Sequence, residues 1–115
     1  MPSNCIDTRN YAGVRTILTE NQRQIKMVKH PELRDDGFIK RVKETIENPG
    51  FIYEDFAESD RLVYYRHEYS VNGQPRYVKV SIDIEKIPYF VITAFRPARV
   101  KERGKTKLIH GNDEQ

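Results

Sequence analysis

Tryptophan is absent from this chain and cysteine occurs once, as Cys5. A single thiol closes no intramolecular disulfide and no second cysteine stands at metal-ligand spacing. Cys5 therefore reads as a tail residue, and nothing ties the fold to an oxidising compartment. No stretch approaches the roughly 20 apolar residues that a bilayer crossing needs. Charged residues make up 32% and the mean hydropathy is −0.76, which predicts no membrane partner. The opening Met1-Pro2-Ser3-Asn4-Cys5 lacks the basic and then apolar run of a secretory signal, so a cytoplasmic location is expected. No group of His, Cys, Asp and Glu has the sequence spacing of a closed metal site, and neither metal nor other cofactor is expected.

Charge of both signs is what the chain has in quantity. Twenty Lys plus Arg face 17 Asp plus Glu, a formal net charge of +3. So small an excess is compatible with a polyanionic partner without requiring one, because affinity for phosphates comes from local clustering of cations. The clustering is C-terminal: Arg96, Arg99, Lys101, Arg103, Lys105 and Lys107 follow one another, with Glu102 as the interruption. Such a run is either a solvated basic tail or a phosphate-contacting strand and loop.

At 115 residues the chain is long enough for one core and too short for two. The expected layout is a tail over 1–12, a single domain over 13–109 and a polar tail over 110–115. Val14 to Leu18 reads as a short strand. Thr19 looks like an N-cap, with Glu20 in the first turn and Ile25 and Val28 supplying an apolar side. Pro31 pushes His30 out of helical geometry, to the end of that helix. Phe38, Ile39, Val42 and Ile46 then share one face of a second helix, stopped by Asn48-Pro49-Gly50.

Beyond that stop the period changes to two. Phe51 to Glu54 and Leu62 to Tyr69 read as strands, and Asn72-Gly73 is the turn expected between antiparallel neighbours. Two further runs, Tyr77 to Ile84 and Tyr89 to Phe95, flank Glu85-Lys86-Ile87-Pro88. The fold class is α+β: a short N-terminal strand and two helices packed on one face of a roughly four-stranded antiparallel sheet. Alternation places Val78, Val80, Ile82, Phe90, Ile92 and Ala94 toward the helices and Lys79 and Thr93 on the opposite face, which is left for function.

A lysine amid valines and isoleucines of a central strand is uncommon without a use, although a snorkelling surface lysine is the plain alternative. His30 is either a proton-transfer group, since imidazole titrates closest to neutral pH, or a cap on its helix end. His30, Lys79 and Thr93 with Arg66 are the parts that cleavage at a ribose 2′-hydroxyl requires: a base, cations over the transition state and a hydrogen-bond donor. RNA contacts are expected from Tyr64, Arg96, Arg99 and Lys101. Strand parity puts Tyr64 and Arg66 on one face and Tyr65 on the other, so these three do not reach one site.

The order of several short motifs adds a resemblance. They are Leu18-Thr19-Glu20, His30-Pro31-Glu32-Leu33, Thr45-Ile46-Glu47-Asn48-Pro49 followed by Phe51-Ile52-Tyr53-Glu54-Asp55, Tyr64-Tyr65-Arg66, Tyr77-Val78-Lys79-Val80 and Val91-Ile92-Thr93-Ala94-Phe95. From Val14 through Leu108 the chain resembles the nuclease-like domains of the barnase, EndoU, colicin and RelE superfamily. The resemblance implies a metal-independent endoribonuclease, as the toxin half of a paired system or a phage-derived accessory protein. RNA and an inhibitor, antitoxin or immunity protein would be its partners. Members often carry a His-Ile pair six residues ahead of the His-Pro-Glu, where this chain has Gln24-Ile25. Glutamine exchanges no proton near neutral pH, which leaves open a non-catalytic RNA- or protein-binding module on the same fold.

Overall fold

The structure is a computed structural model that describes residues 3–112. Strands β1 (Asn4–Arg9) and β2 (Arg15–Thr19) form a hairpin, followed by helix α1 (Glu20–Met27), a 3₁₀ turn over Pro31–Arg34 and helix α2 (Asp36–Glu47). Then come β3 (Phe51–Glu54), β4 (Arg61–Val71), β5 (Gln74–Asp83), β6 (Tyr89–Phe95) and β7 (Leu108–Gly111). The fold is α+β as expected, but the sheet has seven strands rather than four, in the order β1-β2-β6-β5-β4-β3-β7. β2 and β6 pair in parallel, and every other neighbouring pair among the described residues is antiparallel. The stretch expected to be an N-terminal tail contains β1, and β7 straddles the expected start of the C-terminal tail.

Local signals set the two helices. The Thr19 hydroxyl accepts from the Gln22 N–H at 3.0 Å, and the Asp35 carboxylate accepts from the Gly37 N–H at 2.9 Å. Each satisfies a donor that the first helical turn leaves unpaired. Phe38, Ile39, Val42 and Ile46 of α2 are buried against the sheet. Helix α1 departs from expectation: Ile25 and Val28 are 56% and 86% exposed, and α1 buries no residue. The partly buried Met27 packs against the core, and polar contacts hold the rest of the helix. Arg23 Nε donates to the Leu33 carbonyl at 2.7 Å and Gln22 Nε2 to the Ile92 carbonyl at 2.6 Å.

The hairpin of β4 and β5 turns at Asn72 and Gly73, both at positive φ, as a two-residue loop demands. Val78, Val80, Ile82 and Ala94 face the helices as expected, whereas Phe90 and Ile92 do not. The pairing runs Ser81↔Thr93 and then Ile82↔Val91, so Ile92 is an extra residue in β6. This bulge inverts the alternation, burying Val91 and turning Phe90 to solvent.

Seven strands laid flat would span about 29 Å at the usual spacing of about 4.8 Å. Yet the ring of Tyr11, in the turn of the β1–β2 hairpin, lies 4.4 Å from the ring of His110 on β7, tilted by 40°, at the other end of the strand order. Asn10 in the same turn donates to the Tyr64 hydroxyl on β4 at 3.1 Å. The sheet therefore curls around α2, which packs on β1, β4 and β5. Among the described residues no helix is long and apolar enough to cross a membrane.

Closure at β7 depends on Gly111, at φ 81°. A Cβ there would lie 2.0 Å from the Gly50 carbonyl oxygen and 2.9 Å from Phe51 Cα, backbone that cannot yield. Gly111→Ala is expected to detach β7 from β3, read as lost amide-exchange protection at Leu108 to Gly111 with the β4–β5 amides still protected. Unchanged protection of β7 would contradict this packing.

Candidate functional site

The sheet face away from the helices carries its own apolar cluster of Phe51, Tyr53, Val63, Tyr65 and Tyr77, with Val100 packed on it. It is less open than expected, because the segment joining β6 to β7 lies over it. Lys79, at the middle of β5, belongs to this face and is buried. A buried ammonium requires a counter-charge. Glu102 supplies it from the covering segment, with its Oε2 3.2 Å from Lys79 Nζ. The other carboxylate oxygen accepts a short hydrogen bond from the Tyr65 hydroxyl. Burial, followed by that hydrogen bond and the Glu102 charge, pushes the Tyr65 phenol far above its ordinary value. Lys79 Nζ also lies 5.7 and 5.6 Å from the ring centres of Tyr65 and Phe95, a cation–π distance.

Thr93 joins Lys79 on this face. It stands opposite Ser81, two residue pairs along from Lys79↔Phe95, with the Val80↔Ala94 pair between. Its hydroxyl is buried with no hydrogen-bond partner. His30, in the turn after α1, also meets Phe95. The residue before Pro31 has left helical geometry, at φ −125° and ψ 82°, its N–H donates to the Lys26 carbonyl at 2.9 Å, and its ring lies flat on Phe95 at 4.3 Å and 6°. Burial, opposed by Glu32 and reinforced by Lys29 and Lys26, lowers its pKa, which favours the neutral imidazole. Among the described residues neither ring nitrogen is spent on a hydrogen bond.

Glu32 fixes that placement. Its Oε2 accepts from the backbone N–H of Arg96, the residue after Phe95, at 3.1 Å. The Arg96 guanidinium is itself held bidentate by Glu68 at 2.6 and 2.9 Å and covers the Phe38 ring at 4.6 Å. The hydrogen bond to Glu68 raises its pKa. Arg96, expected as an RNA contact, is thus engaged by Glu68, with 31% of its side chain left exposed.

Two other expectations are corrected by parity and burial. Arg66 pairs with the core residue Val78 and so faces the helix side, away from Lys79, where its Nη1 donates to the Asn48 carbonyl at 2.6 Å. It lines a separate cleft of about 400 Å³ with Arg41, Glu44 and Tyr69. Tyr64 is 1% exposed and belongs to the core, so it reaches no RNA, and burial pushes its phenol up to about 12. Arg99 and Lys101 are exposed, as a phosphate contact requires. Gln24 is exposed and donates to Glu20 at 3.1 Å.

One grouping was not expected from sequence spacing. Asp60, Asp83 and Glu85 bring ligand-type atoms within 4.8 Å of one another, because the start of β4 lies beside the end of β5. All three are acidic and at least partly solvated, an arrangement common without an ion. Glu102 was missed for a different reason: in the sequence it reads as a gap in a basic run, and nothing local reveals a partner 23 residues upstream.

No family model, no curated protein and no solved structure matches this chain.

Proposed function

We propose that the chain cleaves RNA by attack of a ribose 2′-hydroxyl on the adjacent phosphorus, with His30 as the base. One observation carries this reading: an imidazole with both nitrogens unspent, held flat on Phe95, whose cross-strand partner is Lys79. His30 takes the 2′-hydroxyl proton as the 2′-oxygen bonds to phosphorus. The bond from phosphorus to the 5′-oxygen breaks, and the leaving oxygen takes a proton from solvent. Positive charge over the phosphorane comes from the exposed Arg99 and Lys101 of the covering segment, and from Lys79 once Glu102 yields its hold. The motif resemblance to the barnase, EndoU, colicin and RelE superfamily supports the same reading. It would place the protein in the cytoplasm as a toxin or phage-derived accessory protein, with an inhibitor protein as partner.

A second reading, binding without cleavage, is favoured by the Lys79–Glu102 pair, which occupies the ammonium that a substrate phosphate would need. Incubation of end-labelled RNA with excess chelator separates the two. Cleavage is expected to survive chelation, to leave 2′,3′-cyclic phosphate and 5′-hydroxyl ends, and to stop at a 2′-deoxy position. RNA bound but intact at every pH from about 5 to 8, the span over which an imidazole changes state, selects the binding module. Cleavage that requires a divalent ion overturns the mechanism.

A further inference from the structure

The segment that delivers Glu102 inward turns its cations outward. Arg99, Lys101, Arg103 and Lys105, with Val100 and Phe56, line a cleft of about 430 Å³ in which no acidic side chain takes part. Cations alone would serve any polyanion. Phe56 makes the cleft more selective. It sits in the loop between β3 and β4, 51% exposed, with Lys105 Nζ 5.8 Å from its ring centre. The ring is presented by a defined turn, since the Asp55 carboxylate accepts from the N–H groups of Ala57 and Glu58 at 2.8 and 3.1 Å. That use of Asp55 points its charge into its own loop.

A half-exposed aromatic ring beside several phosphate-seeking cations is the combination that holds unpaired bases. The ring stacks on a base face while cations follow the backbone. A duplex keeps its base faces inside the stack and offers the ring nothing. The cleft is of the size that small ligands occupy, so it suits one nucleotide of a longer strand. We infer that this cleft seats single-stranded RNA, one base stacked on Phe56 and the neighbouring phosphates on Arg99, Lys101 and Lys105. The inference takes RNA as partner from the preceding reading, but it does not depend on cleavage.

The test uses the full chain and a fluorescent 2′-O-methyl octauridylate, which cannot be cleaved through its 2′-oxygen, with binding read by anisotropy. Wild type is expected to bind, more weakly as salt rises, and to prefer the single strand to a 2′-O-methyl duplex of equal length. Phe56→Ala should weaken binding roughly tenfold or more, the effect of losing one stacked base, whereas Phe56→Tyr should keep it. Lys101→Gln with Lys105→Gln should lower the slope of log affinity against log salt by about 1.4, two single-strand phosphates' worth. All three positions, Phe56, Lys101 and Lys105, are exposed, and circular dichroism melting checks that the fold is kept. Equal binding by Phe56→Ala, equal binding of the duplex, or no binding by wild type overturns the inference. Competition by octaglutamate as effective as by the oligonucleotide also overturns it, in favour of an acidic protein partner. Oligonucleotide binding with these dependences, beside ordinary RNA left intact, upholds the cleft and removes the cleavage reading instead.

Discussion

His30→Gln is expected to slow RNA cleavage by about 10²- to 10⁴-fold, the usual loss when a base is removed, with affinity for the octauridylate largely unchanged. Glutamine keeps a hydrogen-bonding tip of similar reach but takes no proton. The pH profile supplies a second readout. Burial holds the folded-state pKa of His30 below the ordinary 6.5, and a base works in its neutral form. The rate should therefore be level at pH 7 and fall on an acid limb that begins below pH 6.5, more acidic than for a solvated imidazole. Phe95→Leu removes the ring that buries His30 and should move that limb toward higher pH. The sign for stability follows the same shift: the folded state resists protonation, so the stability His30 contributes is complete above 6.5 and is lost as pH falls through the lowered value. A variant His30→Gln as fast as wild type, or an acid limb unmoved by Phe95→Leu, would remove His30 from the reaction.

Glu102→Ala is expected to cost about 3–5 kcal/mol of folding stability, the penalty for stranding one half of a buried ion pair. With side-chain exposures of 11% for Lys79 and 3% for Glu102, solvent screens the pair little. The substitution also leaves the Tyr65 hydroxyl without its acceptor. Denaturant unfolding measures the loss, and a double-mutant cycle locates it. Lys79→Met alone and Glu102→Leu alone should each be costly for stranding the other charge, while Lys79→Met with Glu102→Leu should recover most of that loss, short of the bond the Tyr65 hydroxyl no longer makes. A loss under about 1 kcal/mol for Glu102→Ala, the range of exposed pairs, would mean that the covering segment does not bury this contact in solution.

Local periodicity carried much of the fold. The Asn72-Gly73 turn, the α2 stripe of Phe38, Ile39, Val42 and Ile46 and the Thr19 cap are each set by neighbours within a few residues. What escaped is set by distant partners. β1 buries only Ile6 among otherwise solvated or half-solvated residues, and its strand character comes from pairing with β2. β7 is four residues long and exists through β3. The β6 bulge is invisible in an alternating run and moved the core from Ile92 to Val91. At the candidate site, parity separated Arg66 from Lys79 in a way the period-two pattern already contained. The seat of Glu102 beneath a basic segment has no local signature.

The parallel contact of β2 with β6, Ile17 beside Phe90, sets an order of events during synthesis. The β1–β2 hairpin and α2 leave the ribosome early, but β2 has no inner neighbour until nearly the whole chain has followed it. Such distant pairing pays its loop-closure entropy late, which slows folding and lengthens the exposure of unpaired strand edges. The nascent chain would therefore pass through a period in which β4 and β5 are paired and the N-terminal hairpin is not yet docked on the sheet, and its vulnerability to proteases should lie in that hairpin until β6 docks.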